Sequence, residues 1–173
     1  MSAAEVQPTP KLVSHTISLF VHDRPGVLVR VALVFARRGY NIESLVVSPS
    51  AAGGYSRMTI TCSGDPDTLD QIIRQLAKLV DVVSALDHTG DEAYETEIAL
   101  LKLDVGDEER NRVLQIAEHF NAKVVDYTAT SVMLLVYGSS EKHDALIQLL
   151  RPYGISELVR SGKILMARGS EST

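Results

Sequence analysis

The chain has 173 residues, 45% of them hydrophobic, and a formal net charge of −5. That length holds one ordinary domain or two small ones, with enough apolar material for packed cores rather than general disorder. Its acidic balance and lack of tryptophan speak against a nucleic-acid surface, and no apolar run approaches the ~20 residues that span a bilayer, so neither partner is expected.

Residues 1–14 carry neither a basic nor an apolar signal region and read as a disordered tail. Thr16 to Val21 predicts a strand, although its apolar residues alternate unevenly. From Val27 to Arg38 the apolar positions fall at helical spacing with one wet face. Pro25 suits the first helical turn, where its missing N–H has no intrahelical partner. Arg37 and Arg38 favour the negative end of that helix, and Gly39 suits the left-handed position after it. Ile42 to Ser48 reads as a strand and Ala51 to Gly54 as a flexible turn. Met58, Ile60 and Cys62 then alternate with polar neighbours, the period of a half-buried strand. Asp65 is a natural N-cap with Pro66 at the first helical position, and Leu69, Ile72, Ile73 and Leu76 give that helix its buried stripe. Val80 to Leu86 reads as another strand.

Residues 88–94 are polar, contain Gly90 and read as a linker. The same order of elements then recurs. Thr96 to Val105 is a strand, and Glu109 to Phe120 a helix. Lys123 to Tyr127 and Ser131 to Tyr137 form a hairpin, followed by a helix from Glu141 to Leu150. Ile155 to Arg160 and Lys163 to Ala167 supply the closing strand or strands, broken at Ser161-Gly162. The chain therefore reads as two βαββαβ units, 15–87 and 95–168, with a short tail at 169–173. Each unit packs two helices on one face of an antiparallel sheet and leaves the other bare. So small a one-sided sheet calls for a partner, either the other unit or another chain.

One segment carries chemistry. The first strand runs into Asp23-Arg24-Pro25-Gly26-Val27-Leu28 and then directly into a helix. A helix N-terminus offers free N–H groups and a positive dipole end, which suit a carboxylate. Gly26 lacks a Cβ and allows close approach to the backbone. Asp23 has the charge to hold an ammonium group. Anion-binding amides beside an acidic side chain suit a free amino acid, with Val27 or Ile42 walling its side chain. On these six residues alone, a plain capped turn is the better explanation of the segment.

The surrounding residues change that balance. Asp23-Arg-Pro-Gly-Val-Leu28, followed by Phe35-Ala-Arg-Arg-Gly-Tyr-Asn-Ile-Glu-Ser-Leu45, resembles the ACT domain of the acetolactate synthase (acetohydroxyacid synthase) small subunit. The resemblance continues through Ser56-Arg-Met-Thr-Ile60, Gln75 to Val83, Glu97 to Lys102 and Arg160-Ser-Gly-Lys-Ile164. It implies an α+β fold, two ferredoxin-like βαββαβ units in tandem, the first an ACT domain. It also implies a non-catalytic regulatory subunit that works in the cytoplasm as a side-by-side homodimer. That subunit would activate a catalytic large subunit and confer feedback inhibition by a branched-chain amino acid, usually valine. The effector would sit between chains, with Asp23, Pro25, Gly26, Val27 and Leu28 from one and Asn41 and Ile42 from its partner. Family members often carry Asn where this chain has Asp23, which can accept from an ammonium group but cannot donate to a carboxylate. No cofactor is implied here. Thiamine diphosphate, magnesium and FAD would belong to the catalytic subunit. A free-standing amino-acid sensor acting on another enzyme or a transcription regulator is the alternative.

The second unit offers a comparison. Its equivalent turn reads Val105-Gly-Asp-Glu-Glu-Arg110, without Pro-Gly and with three acids crowded where a carboxylate would bind, so no effector is expected there. His15, His22, His88, His119 and His143 are dispersed, without the close spacing of a zinc site, and read as surface or turn residues. The single cysteine, Cys62, suits a reducing compartment and reads as a buried structural thiol rather than a nucleophile. No nucleophile-elbow or phosphate-loop motif is present, and no catalytic or metal-binding residue is assigned.

Overall fold

The computed structural model describes residues 13–90, 93–170 and 173. Most of the expected tail 1–14, and residues 91–92 and 171–172, lie outside the described residues. The chain divides into two compact units, residues 1–91 and 92–173.

The first unit runs β1 (Val13–His22), α1 (Val27–Arg37), β2 (Ile42–Pro49), β3 (Tyr55–Gly64), α2 (Pro66–Leu76) and β4 (Val82–Asp87). Its sheet has the order β2-β3-β1-β4. The second runs β5 (Tyr94–Asp104), α3 (Asp107–His119), β6 (Lys123–Tyr127), β7 (Ser131–Gly138), α4 (Ser140–Leu150), a single 3-10 turn, β8 (Ile155–Arg160) and β9 (Ile164–Met166). Its order is β6-β7-β5-β8, and β9 also pairs with β5, beyond the end of β8. Each unit is thus a ferredoxin-like antiparallel sheet with two helices.

The long central ladder explains the uneven alternation of β1. Ile17, Leu19 and Val21 face the helices and are fully or nearly fully buried with Val27, Val31 and Phe35 of α1 and Leu69, Ile72 and Leu76 of α2. Phe20 falls on the opposite face, level with Arg57 of β3. The second core is Ala99, Leu101 and Leu103 of β5 and Val132, Leu134 and Val136 of β7, under Val113, Leu146 and Leu150.

The two units share their irregularities as well as their order. In the second strand of each, one residue is left over against its neighbour, Glu43 in β2 and Val125 in β6. In the fourth strand of each, Val83 and Ser156 do the same against the first strand. Bulges bend a strand and raise its twist, so both sheets curl alike at both edges.

Local chemistry fixes the helix ends. The Asp65 carboxylate accepts the Thr68 N–H at 3.0 Å, and Pro66 opens α2 as expected. At the end of α1, Gly39 has φ +71. Its N–H reaches Ala36 O at 3.1 Å, and the Tyr40 N–H reaches Phe35 O at 3.1 Å. That pair of bonds is a Schellman cap.

The structure corrects several sequence expectations. β1 begins at Val13, inside the expected tail 1–14, and β5 begins at Tyr94, inside the expected linker 88–94. His88, also in that linker, is buried and bonded to Ser18 Oγ at 2.7 Å. His15 and His143 are buried too, so three of the five histidines are not surface residues. The expected strand start at Val80 is a turn in which Val82 N–H reaches Leu79 O, leaving Val80 92% exposed. Pro25 precedes α1 rather than entering it.

Candidate functional site

The Asp23–Leu28 segment is built as a type II turn feeding a helix. The Val27 N–H reaches Arg24 O at 3.3 Å, with Pro25 and Gly26 between them. Gly26 has φ 85 and ψ −7, the values that the third position of this turn demands and that favour glycine. Proline belongs at the position before it, which is why it stands outside the helix. Helical bonding begins when the Arg30 N–H reaches Gly26 O at 3.1 Å. The first-turn N–H groups of Leu28 and Val29 therefore have no intrahelical acceptor.

Two backbone bonds anchor the turn. The Asp23 N–H donates to Gly54 O at 2.9 Å, in the β2–β3 loop, and the His22 N–H donates to Asp81 O at 2.8 Å, in the α2–β4 loop. Asp23, Arg24, Pro25 and Gly26 are exposed. Val27 is 3% exposed and its side chain belongs to the core, so any ligand contact from it runs through the backbone. Ile42 is half-buried against the same core, and Leu28 points outward, 43% exposed.

Asn41 and Ile42 stand at the far end of α1 from the turn. The helix between them has 11 residues, a length of ~16 Å at about 1.5 Å per residue. One chain therefore brings Asp23 through Leu28 together, and Asn41 with Ile42, but does not bring the two groups to each other. Along α1 between them, Leu28, Val29 and Leu33 are exposed large apolar residues. Ala32 and Ala36 continue the same stripe by helical spacing. Among the described residues β2 pairs only with β3 and forms one edge of the sheet.

The second unit turns from strand to helix in two residues, Val105 and Gly106, and Gly106 has extended backbone. Three acids, Asp107, Glu108 and Glu109, dominate this turn in the sequence. Asp107 is exposed and pairs with Arg110 Nη1 at 2.9 Å. Arg110 itself is buried, donating through Nη2 to Val105 O and Ala129 O and lying 5.0 Å from the Tyr127 ring centre. This arginine, 8% exposed, is not legible in the sequence because periodicity places it on the helix face of Val113 and Ala117, where an apolar residue is expected.

Cys62 is fully buried, and burial pushes its thiol up to about 11, so it is not poised as a nucleophile. Among the described residues no group of His, Cys, Asp or Glu is arranged to hold a metal ion, and no helix is long and apolar enough to cross a membrane.

Comparison with known proteins assigns both units. Residues 17–84 match the model of the AHAS small subunit-like ACT domain, and residues 96–169 match that of the small subunit of acetolactate synthase. The acetolactate synthase small subunit of Mycolicibacterium smegmatis is 40% identical over 156 residues, 90% of this chain and 92% of that protein. The acetolactate synthase small subunit of Mycobacterium leprae is 39% identical over 158 residues, 91% and 94% of the two chains. The crystal structure of the small subunit from Thermotoga maritima superposes with a TM-score of 0.81 at 35% identity, covering 92% of this chain and 99% of that one. The chain belongs to the acetolactate synthase small-subunit family.

Proposed function

We propose that this chain is the regulatory subunit of acetolactate synthase, activating the catalytic large subunit and making it sensitive to a branched-chain amino acid, valine first, or leucine or isoleucine. Thiamine diphosphate, magnesium and FAD belong to the catalytic partner in this reading. The observation that carries the effector site is the separation along α1. The Asp23–Leu28 turn and the Asn41-Ile42 pair stand at opposite ends of one helix. Pairing two copies side by side, with their α1 helices antiparallel, sets the turn of each against Asn41 of the other. The exposed apolar stripe on α1 and the free edge of β2 supply the surface for that pairing. In the paired site the first-turn N–H groups and the helix dipole take the effector carboxylate, Asp23 takes the ammonium group, and Gly26 keeps the backbone accessible. Leu28 is the aliphatic side chain at the turn free to meet the effector's own.

Regulation then follows from linkage. An effector that binds one arrangement of the pair more tightly shifts the complex toward that arrangement, by no more than its differential affinity. The test is reconstitution with the catalytic subunit. Added chain should raise acetolactate formation, and valine, leucine or isoleucine should lower it again. A chain that does neither is not this regulatory subunit.

A further inference from the structure

Asn41 is exposed and lies between α1 and β2, in neither element. Its place is set by the residues on either side. Ile42 opens β2, paired with Cys62. Tyr40 is fastened more firmly. Its N–H closes the cap of α1 on Phe35 O. Its ring lies on Gly64, the buried last residue of β3, so closely that a Cβ at 64 would overlap Cζ and Oη. Its Oη donates to the backbone oxygen of Asp65, the residue that caps α2. Burial, and then the Asp65 charge, raises the Tyr40 pKa, so the phenol stays a donor. The Arg38–Gln71 and Ser63–Glu43 bonds cross the same corner, but both are exposed and water competes for them.

The second unit builds the same corner without the tyrosine. The Asn121 N–H reaches Glu118 O and the Ala122 N–H reaches Ala117 O, at 3.0 and 2.8 Å, as the Gly39 and Tyr40 N–H groups do at the end of α1. Ala122 is therefore the equivalent of Tyr40. Gly138 ends β7 as Gly64 ends β3, and Ser139 caps α4 as Asp65 caps α2. A methyl group cannot reach Gly138, and the side chain over that glycine is Lys142, from α4 itself. The end of the first helix is thus fastened across the sheet in the unit that carries the Pro-Gly turn, and not in the other.

We propose that Tyr40 is a positioning residue of the effector site, seated on Gly64 so that Asn41 is held where it meets a ligand at the partner chain's turn. The inference rests on the effector reading above. Tyr40 acts through the backbone. Its Cα and that of Asn41 are ~3.8 Å apart across one trans peptide, so fixing the first leaves the second little freedom. A ligand that finds Asn41 already in place has less ordering to offset on binding. Gly64 contributes by its missing side chain, which leaves room for the ring.

Calorimetric titration of valine, leucine and isoleucine into the full chain tests this. Asn41→Ala should weaken binding about tenfold, roughly what one hydrogen bond supplies. Tyr40→Ala reproduces the second unit and should weaken it to a similar degree. Gly64→Ala displaces the ring without altering Tyr40 or Asn41 and should do the same. Tyr40→Phe keeps the ring and should bind within about threefold of the unaltered chain. The double variant Tyr40→Ala with Asn41→Ala should bind no more than about twofold more weakly than either single one, because Asn41 no longer contributes once its support is gone. Unchanged affinity in Tyr40→Ala and Gly64→Ala overturns the proposal. Losses that multiply in the double variant also overturn it, since Tyr40 would then act on the fold and not through Asn41. A Tyr40→Phe loss as large as that of alanine overturns the role given to the ring. An unaltered chain that binds none of the three amino acids, or an Asn41→Ala chain that binds them normally, removes the effector reading itself, and this inference with it.

Discussion

Gly26 and His143 show how single residues set limits on each unit. At φ +85, Gly26 occupies backbone space that costs other residues about 1–2 kcal/mol. Gly26→Ala should therefore lower the stability of the first unit by about that amount in a denaturant titration, before any ligand is considered. His143 sits fully buried in α4, its Nδ1 3.3 Å from Glu97 Oε1. Arg160 bonds the same carboxylate through Nε at 3.2 Å and holds Asp144 at 2.6 Å through Nη1. Burial lowers the His143 pKa, against the pull of Glu97 and with the help of Arg160 and Lys142. Burial would raise the Glu97 pKa, but the bonds from Arg160 and Ser140 outweigh it and hold the carboxyl below its usual range. Both shifts have the same sign for stability. A histidine with a depressed folded pKa contributes fully above its unfolded value of ~6.5, and that contribution is lost as pH falls below it. The melting temperature of the second unit should therefore drop as pH falls below ~6.5, well before the carboxylates titrate. His143→Leu should flatten that portion of the profile and leave the more acidic portion, which belongs to Glu97, in place.

At the scale of elements, the sequence was most legible where a cap or a period acts locally. Asp65 and Pro66 announced α2, and its cap bond is present. Asp65→Ala should lower the urea midpoint without change of slope. The paired bulges at Glu43 and Val125, and at Val83 and Ser156, had no such signal, because a left-over residue is defined by its neighbour strand and not by its own chemistry. The buried histidines were illegible for a related reason. Ser18 becomes the partner of His88 only once β1 and the end of β4 are brought side by side, 70 residues apart in sequence. In the candidate site, the turn and its glycine could be read directly, whereas the Tyr40 bond to Asp65 could not, since its members are 25 residues apart. The α1 stripe is a third kind of feature. Its apolar outer positions look like excess hydrophobicity until the core is found on the opposite face. Leu33→Glu should leave the monomer folded, because Leu33 is 46% exposed, yet shift sedimentation of the chain toward the monomer.

For the whole molecule, the decisive question is whether the turn and Asn41 act within one chain or between two. A two-fold pairing repeats each contact, so a dimer has two sites, each made of one chain's turn and the other's Asn41. Gly26→Asp adds a strained side chain and a negative charge where the effector carboxylate is expected. Asn41→Asp adds charge to an exposed residue with almost no change in volume. Each variant alone should bind no effector, because both sites of its homodimer carry the same defect. Mixing the two after unfolding and refolding gives a different result. In a mixed dimer one site receives both defects and the other receives none. With random pairing half the dimers are mixed, so roughly a quarter of the original sites should return, at the original affinity. Calorimetry on the mixture measures both quantities. Recovered sites of unaltered affinity require the turn and Asn41 to come from different chains. A mixture as silent as its two parents places them in the same chain's site, which the length of α1 opposes.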